Sequence, residues 1–267
     1  MKRLKMIVAY EGTKFCGWQI QPGVRTVQDE LEKAIATITS KPVRVYGSGR
    51  TDSGVHALGQ VVHFALPDNR VNVPWQRALN AILPDDITLL SAEVVDENFH
   101  AQFSSVRKTY SYSLWLENGF LLPWRRHFVW ACGPLNLSAV DEAMEYFVGE
   151  HDFASFQNVG TPVSNTIRTI LDFTRLPGET EQEIKLEICG TGFLKQMVRN
   201  IVGCLAEVGR GKVQPDFVRS VLERKDRTLA PATAPPQGLC LSSVHYGEPG
   251  SGESNSGRNE PRINGKD

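Results

Sequence analysis

The densest group of potentially reactive residues lies in the segment 47–57, GSGRTDSGVHA. Its glycines surround Arg50 and Asp52, and glycine lets a backbone turn tightly and approach a ligand closely. A dinucleotide-binding fingerprint would need glycine at Asp52, and a P-loop would need Lys and then Ser or Thr after Gly54. Neither motif is satisfied. The segment therefore indicates a carboxylate on a rigid loop, able to act as nucleophile or base. The alternative is a glycine-rich connection in which Asp52 caps its own turn.

A carboxylate in a water-poor cleft stays ionised when an arginine lies beside it. Arg199 is the candidate partner, because at about 100° per residue it lies at the margin of an apolar helical stripe that begins at Leu194. Gly203 and Ala206 share that side, so we expect another segment to pack closely there. An ordinary surface arginine, with its stem on the edge of the core, fits the helical wheel equally well.

Tyr110 and Tyr112 alternate with small polar residues, so both point to one face of a predicted strand. Aromatic side chains on a sheet face can stack on unpaired bases, although by periodicity alone an aromatic core face is the simpler interpretation. The histidines and cysteines show no metal-ligand spacing, so we expect neither a metal nor a disulfide framework.

The elements that must position these residues alternate between strands and helices. In the first half, Thr26 caps a predicted helix and the other elements are strands at 3–9, 43–47, 58–65 and 87–95 and a helix at 74–82. In the second half, a helix capped by Ser138 runs to about residue 149, and the other elements are strands at 108–116, 127–131, 167–174, 183–189 and 239–246 and helices at 193–208 and 215–223.

This order predicts an α+β protein made of two ferredoxin-like (βαββαβ) modules, whose antiparallel sheets flank a central active-site cleft. The first module, 1–103, carries the Asp52 loop, and the second spans 104–247. Residues 248–267 have no apolar periodicity and are expected to form a disordered tail.

The charge of the chain is balanced in total and segregated along its length. Lys and Arg number 29 against 30 Asp and Glu. Surpluses of positive charge lie in 1–70 and 195–227, whereas 85–97 and 141–152 are acidic. The basic segments predict an RNA-binding face, although solvated helix faces without a partner would give the same pattern. The chain has neither a signal-peptide core nor an apolar stretch that could span a membrane, which favours a reduced, cytoplasmic protein.

Several motifs that occur in order between residues 3 and 247 resemble the bacterial tRNA pseudouridine synthase A family, the tRNA-uridine 38–40 enzymes. They are YEGTKFCGWQIQP, TVQDELEKAI, GSGRTDSGVHALGQVVHF, KTYSY, GFLKQMVRNIVG and GLCLSSVHY. An ordered set of this length is far more specific than a single glycine pattern.

The resemblance implies an enzyme that isomerises uridine to pseudouridine in the anticodon stem-loop of tRNA, acting on a flipped-out base. It implies that Asp52 is the catalytic carboxylate and that Arg199 pairs with it. It also implies that Arg50 holds the flipped-out nucleotide, that Tyr110 packs against the target base and takes part in proton transfer, and that Leu241 lines the pocket opposite Tyr110. The family forms homodimers with tRNA lying across both subunits, and needs no cofactor or metal.

Two other classes of function remain open at this point. A non-catalytic RNA-binding module would share the charge pattern and the aromatic residues but would have no use for Asp52 with Arg199. A nucleoside glycosidase would usually need several clustered acids, whereas only Asp52 lies in the motif. The sequence also leaves open whether Asp52 attacks the sugar, attacks the base or assists deprotonation.

Overall fold

A computed structural model describes residues 2–158, 160 and 163–247 of the chain. The strands are β1 Lys2–Tyr10, β2 Tyr46–Gly47, β3 His56–Leu66, β4 Ile87–Val95, β5 Ser105–Trp115, β6 Trp130–Ala131, β7 Gly149–Asp152, β8 Ile167–Pro177, β9 Glu183–Gly190 and β10 Leu239–Tyr246. The α-helices are α1 Val27–Thr39, α2 Trp75–Asn80, α3 Leu137–Glu145, α4 Met197–Gly209 and α5 Phe217–Arg224. This is the predicted α+β composition. The predicted tail, 248–267, lies outside the described residues.

The strands form one continuous sheet in the order β4-β1-β3-β10-β5-β9-β8-β7, with β2 paired to β3 and β6 paired to β5. The sequence suggested separate antiparallel sheets, one in each module. They are joined because the last strand, β10, lies between β3 and β5, parallel to β3 and antiparallel to β5. One strand thereby satisfies backbone groups on two edges that would otherwise be open. The ferredoxin-like assignment and the module boundaries, 1–103 and 104–247, stay predictions.

Local capping and periodicity fix the first helix as the sequence predicts. The Thr26 hydroxyl accepts a hydrogen bond from the backbone N–H of Asp29, which satisfies one of the free donors at the start of α1. The apolar face of this helix, with Val27, Leu31 and Ile35, is buried in the main apolar cluster together with alternate residues of β1. Each such side chain contributes about 1.5–3 kcal/mol on full burial.

Other boundaries differ from the predicted ones for local reasons. Helix α3 is capped by Asn136 and not by Ser138, because the Asn136 side chain accepts from the N–H of Ala139. Its predicted end at 149 is replaced by β7, which begins at Gly149 with a positive φ of 105°. Helix α4 begins at Met197 instead of residue 193, because Gln196 takes a left-handed conformation with φ 62°. Strands β2 and β6 are shorter than predicted, with two residues each.

Candidate active site

The loop 48–55, hereafter the Asp52 loop, connects β2 to β3, and a buried amide holds its first residues. The backbone N–H of Ser48 donates to Val61 O (2.8 Å). The Ser48 hydroxyl donates to Gln60 Oε1 (2.7 Å), and Gln60 Nε2 donates to Gly49 O (2.9 Å). Gln60 is fully buried, so both ends of its amide serve the loop. The sequence signal for this role was a polar residue between the apolar residues of a predicted strand.

The centre of the Asp52 loop rests on the segment that follows β1. The Tyr10 and Thr51 hydroxyls are hydrogen-bonded at 2.8 Å, and the N–H of Trp18 donates to Thr51 O at 3.0 Å. Burial raises the pKa of Tyr10 well above its ordinary value, so this hydroxyl stays neutral. Gly17 has a φ of +84°, and a Cβ there would lie 2.7 Å from Thr51 O. Only glycine fits this close approach, which gives part of the YEGTKFCGWQIQP motif a structural purpose.

Asp52 and Arg199 meet across the two halves of the chain, although 147 residues separate them. Arg199 Nη1 donates to Asp52 Oδ2 at 3.1 Å, and Arg199 Nε donates to Ala234 O at 2.8 Å. The Arg199 side chain is 12% exposed and the Asp52 side chain is 22% exposed, so the ion pair is largely shielded from water while part of the carboxylate stays accessible. The carbonyl of Ala234 therefore aims the guanidinium at the carboxylate.

Tyr110 lies near this ion pair, and Leu241 is its cross-strand partner. They are directly paired residues of β5 and β10. Burial, and the negative charge of Asp52, raise the pKa of Tyr110 far above its ordinary value. Its ring packs edge-on against Phe193, with centroids 5.1 Å apart. Leu241 is fully buried and is the cross-strand neighbour of Tyr110, and its place opposite Tyr110 in a base-binding pocket stays a prediction.

Arg50 lies on the exposed part of the Asp52 loop. It makes no hydrogen bond or ion pair with any residue that the structure describes. Its guanidinium is thus available to an external anion, to which it can donate several hydrogen bonds.

Close packing around Gly203 explains how Arg199 is held. A Cβ on Gly203 would lie 2.0 Å from Ala232 O, so the segment 230–236 runs directly against α4. This confirms the expectation that something packs closely on the Gly203 side of the helix. The same segment supplies the Ala234 carbonyl that binds Arg199.

We expect Gly203→Ala to lower both stability and activity, because the added methyl group must push the segment 230–236, with Ala234, away from α4. Overpacking of this kind costs about 1–3 kcal/mol, and turnover should fall at least about tenfold as the Arg199 side chain loses its anchor. Thermal unfolding and single-turnover assays measure the two effects. The matched control is Gly192→Ala, where a Cβ would meet its nearest neighbour at an ordinary 3.7 Å. A Gly203→Ala protein as stable and active as this control would contradict the expectation.

The basic segments predicted to bind RNA are partly neutralised within the protein. Lys212 pairs with Glu207 at 2.8 Å, and Lys225 pairs with Asp152 at 3.0 Å. Within the described ranges, no cluster of three or more His, Cys, Asp or Glu residues could hold a metal ion, and no helix there is long and apolar enough to cross a bilayer.

A cavity of about 430 Å³ lies next to strands β5 and β10. It is lined in part by Ser111, Ser113 and Cys240, which alternate along β5 and β10 with Tyr110 and Leu241. Successive side chains of a strand point to opposite faces of the sheet. These three lining residues therefore lie on the other face of the sheet from Tyr110.

Comparison with known proteins gives one family. The chain matches the model of the tRNA pseudouridine synthase family over residues 6–104 and 143–247. It is 63% identical over 261 residues to a protein of Maridesulfovibrio salexigens named tRNA pseudouridine synthase A, covering 97% of this chain and 96% of that one. Proteins of the same name in Solidesulfovibrio magneticus and Bacillus subtilis are 51% and 47% identical, covering 94% and 91% of this chain and 93% and 99% of theirs.

Similarity to solved structures is weaker. An archaeal box H/ACA sRNP Nop10-Cbf5 complex aligns with 76% of this chain and 44% of that chain, with 12% identity and a TM-score of 0.35. A likeness of this size adds nothing to the assignment from sequence.

Proposed function

Because the chain belongs to the tRNA pseudouridine synthase family, whose members are isomerases, we propose that it converts uridine to pseudouridine at positions 38, 39 and 40 of the tRNA anticodon stem-loop, with Asp52 as the catalytic carboxylate. The observation that carries this proposal is the 3.1 Å pair between Asp52 and Arg199, formed beside Tyr110 from distant parts of the chain.

The reaction explains why a single held carboxylate is enough. The bond between N1 of uracil and C1′ of ribose breaks, the base turns, and a bond forms between C5 and C1′. The hydrogen on C5 leaves as a proton and N1 takes up a proton, so the product is an isomer of the substrate and the step needs no oxidant, reductant or group-transfer cofactor. A carboxylate can attack the sugar, attack the base or assist deprotonation, and each role needs a carboxylate held in a fixed orientation, as the hydrogen bond from Arg199 holds Asp52.

The other site residues each serve a requirement of this reaction. A base inside a stem must be extruded before it can turn, which costs a few kcal/mol, and the free guanidinium of Arg50 is available to hold the extruded nucleotide. The detached base must be kept in place and away from water. The neutral ring of Tyr110, with the buried side chain of Leu241 as its cross-strand neighbour, provides apolar surface for that purpose, and the Tyr110 hydroxyl can take part in proton transfer.

The remaining parts of the proposal concern assembly. We place the RNA across the basic segments 1–70 and 195–227, with backbone phosphates as their ligands. We also propose that the protein works as a cytoplasmic homodimer with tRNA lying across both subunits, and that each subunit consists of the two ferredoxin-like modules described above. No step of the reaction as written uses a metal.

Tritium release from tRNA labelled at C5 of uridine tests the proposal, followed by a pseudouridine-specific chemistry that maps the modified positions. Release in step with pseudouridine formation at 38, 39 and 40 is the expected result. A non-catalytic RNA-binding module would bind the same tRNA without release, and a glycosidase would liberate free uracil. Pseudouridine at other positions only would refute the assignment of the anticodon stem-loop.

A further inference from the structure

Lys108 lies against the Asp52 loop. It is part of β5, two residues before Tyr110, and therefore points to the same face of the sheet. Its Nζ donates to Ser48 O at 2.6 Å, and a Cβ on Gly49 would lie 3.4 Å from the same nitrogen. The ammonium group is thus next to the backbone that leads into Arg50 and Asp52.

The positive charge of Lys108 is not balanced within the protein. Its side chain is partly buried, and no carboxylate of the described residues lies within ion-pair distance of its Nζ. An ammonium group has three N–H donors, and Lys108 uses one of them on a neutral carbonyl. Burial lowers its pKa, which reflects the cost of keeping this cation away from water.

Arg125 shows how the same chain balances a buried cation elsewhere. Its side chain is 9% exposed, and its guanidinium contacts Glu183 and Glu179, each at 2.7 Å. Buried charges are normally paired in this way. The absence of such a partner at Lys108, within the described part of the chain, points to an anion that arrives from outside.

We propose that Lys108 binds a backbone phosphate of the RNA, beside the nucleotide whose base is isomerised. The inference rests on the proposed function, which brings an RNA strand to the Asp52 loop and identifies the anion. Ser48 O holds the ammonium in position before binding, and the remaining two N–H groups are free to donate to phosphate oxygens. Arg50 follows Gly49 in the chain, so a second cation belongs to the segment that leads to Asp52.

The test compares Lys108→Met and Lys108→Arg with the wild type, measuring tRNA affinity as a function of KCl concentration. Removing one phosphate contact should make the slope of log affinity against log salt shallower by roughly 0.7–0.9, and should weaken binding about tenfold at low salt. Lys108→Arg keeps the charge and should keep the slope. Lys185→Met is the matched control, because Lys185 is a partly buried lysine of β9 whose neighbours Ile184 and Leu186 face the core. Its slope should equal that of the wild type.

A second measurement needs no loss-of-charge variant. Because the pKa of Lys108 lies below the ordinary lysine value, the cation loses its proton earlier as pH rises. Wild-type affinity should therefore fall at alkaline pH before that of Lys108→Arg does. This comparison of pH dependence also tests the proposed phosphate contact if Lys108→Met fails to fold.

Two outcomes would overturn the inference. If Lys108→Met keeps the wild-type salt slope but has a lower kcat, Lys108 only positions the loop. If Lys108→Met keeps both the wild-type slope and the wild-type kcat, Lys108 neither binds phosphate nor positions the loop. The proposed function is judged separately, by pseudouridine formation with the wild-type protein. If the wild type binds tRNA without forming pseudouridine, the proposed function fails while the salt slopes still decide the phosphate contact.

Discussion

Asp52→Asn should abolish pseudouridine formation while leaving tRNA binding nearly intact. Asparagine has the size of aspartate, and its Oδ1 can still accept the hydrogen bond from Arg199 Nη1, so the loop should keep its geometry. What disappears is the negative charge that the proposed reaction uses to attack or to take a proton. Loss of a nucleophile or base of this kind lowers turnover by at least about 10³-fold.

Single-turnover tritium release, with tRNA affinity measured on the same preparation, checks this expectation. Asp52→Ala should be equally inactive, which guards against an effect peculiar to the amide. The neighbouring Ser53→Ala is a suitable control: Ser53 is exposed, and its hydroxyl donates only to Phe15 O. Turnover by Asp52→Asn within tenfold of the wild type would show that Asp52 is not the catalytic carboxylate.

Arg199→Lys is expected to have the second largest effect, a fall in kcat of roughly 10²-fold or more. Arginine donates from Nε to Ala234 O and from Nη1 to Asp52 at the same time. Lysine has one nitrogen at the end of a flexible stem and cannot reproduce this fork. The carboxylate of Asp52 would then be less well oriented. Because the change acts on orientation at the reacting carboxylate, tRNA affinity should change little.

Arg210→Lys serves as the matched control for that substitution. Arg210 follows the end of α4 and pairs at the surface with Glu207 at 2.7 Å, and surface pairs contribute at most about 1 kcal/mol. Its replacement should leave kcat unchanged. An Arg199→Lys enzyme that retains kcat would mean that the ion pair with Asp52 is structural and not needed for turnover.

The support beneath Asp52 explains why such small changes should matter. The Asp52 loop has no helix or strand of its own between 48 and 55, and is fixed instead by Gln60, Tyr10 and Lys108 through hydrogen bonds to Ser48, Gly49 and Thr51. These partners come from β3, β1 and β5. A loop that is hydrogen-bonded to three strands restricts the position of its carboxylate more than a turn without such bonds would.

The sequence by itself determined the features that depend on near neighbours in the chain. The Thr26 cap of α1, the α+β composition and the position of the Asp52 loop between strands all follow from side-chain types a few residues apart. The small residue at Gly203 likewise indicated close packing. Such signals are local because helix caps, the strand period of two and the helix period of 3.6 residues act over one or two turns.

The tertiary structure alone decided which distant residues meet. A single sheet exists because β10 lies between β3 and β5, and no periodicity in residues 239–246 indicates that position. The helical wheel left Arg199 equally compatible with a surface role, and its contact with Asp52 appears only when the segment 230–236 packs on α4. Gln60 and Lys108 looked like ordinary strand residues. Their roles arise from burial and hydrogen bonding across strands far apart in the chain, which a local pattern does not encode.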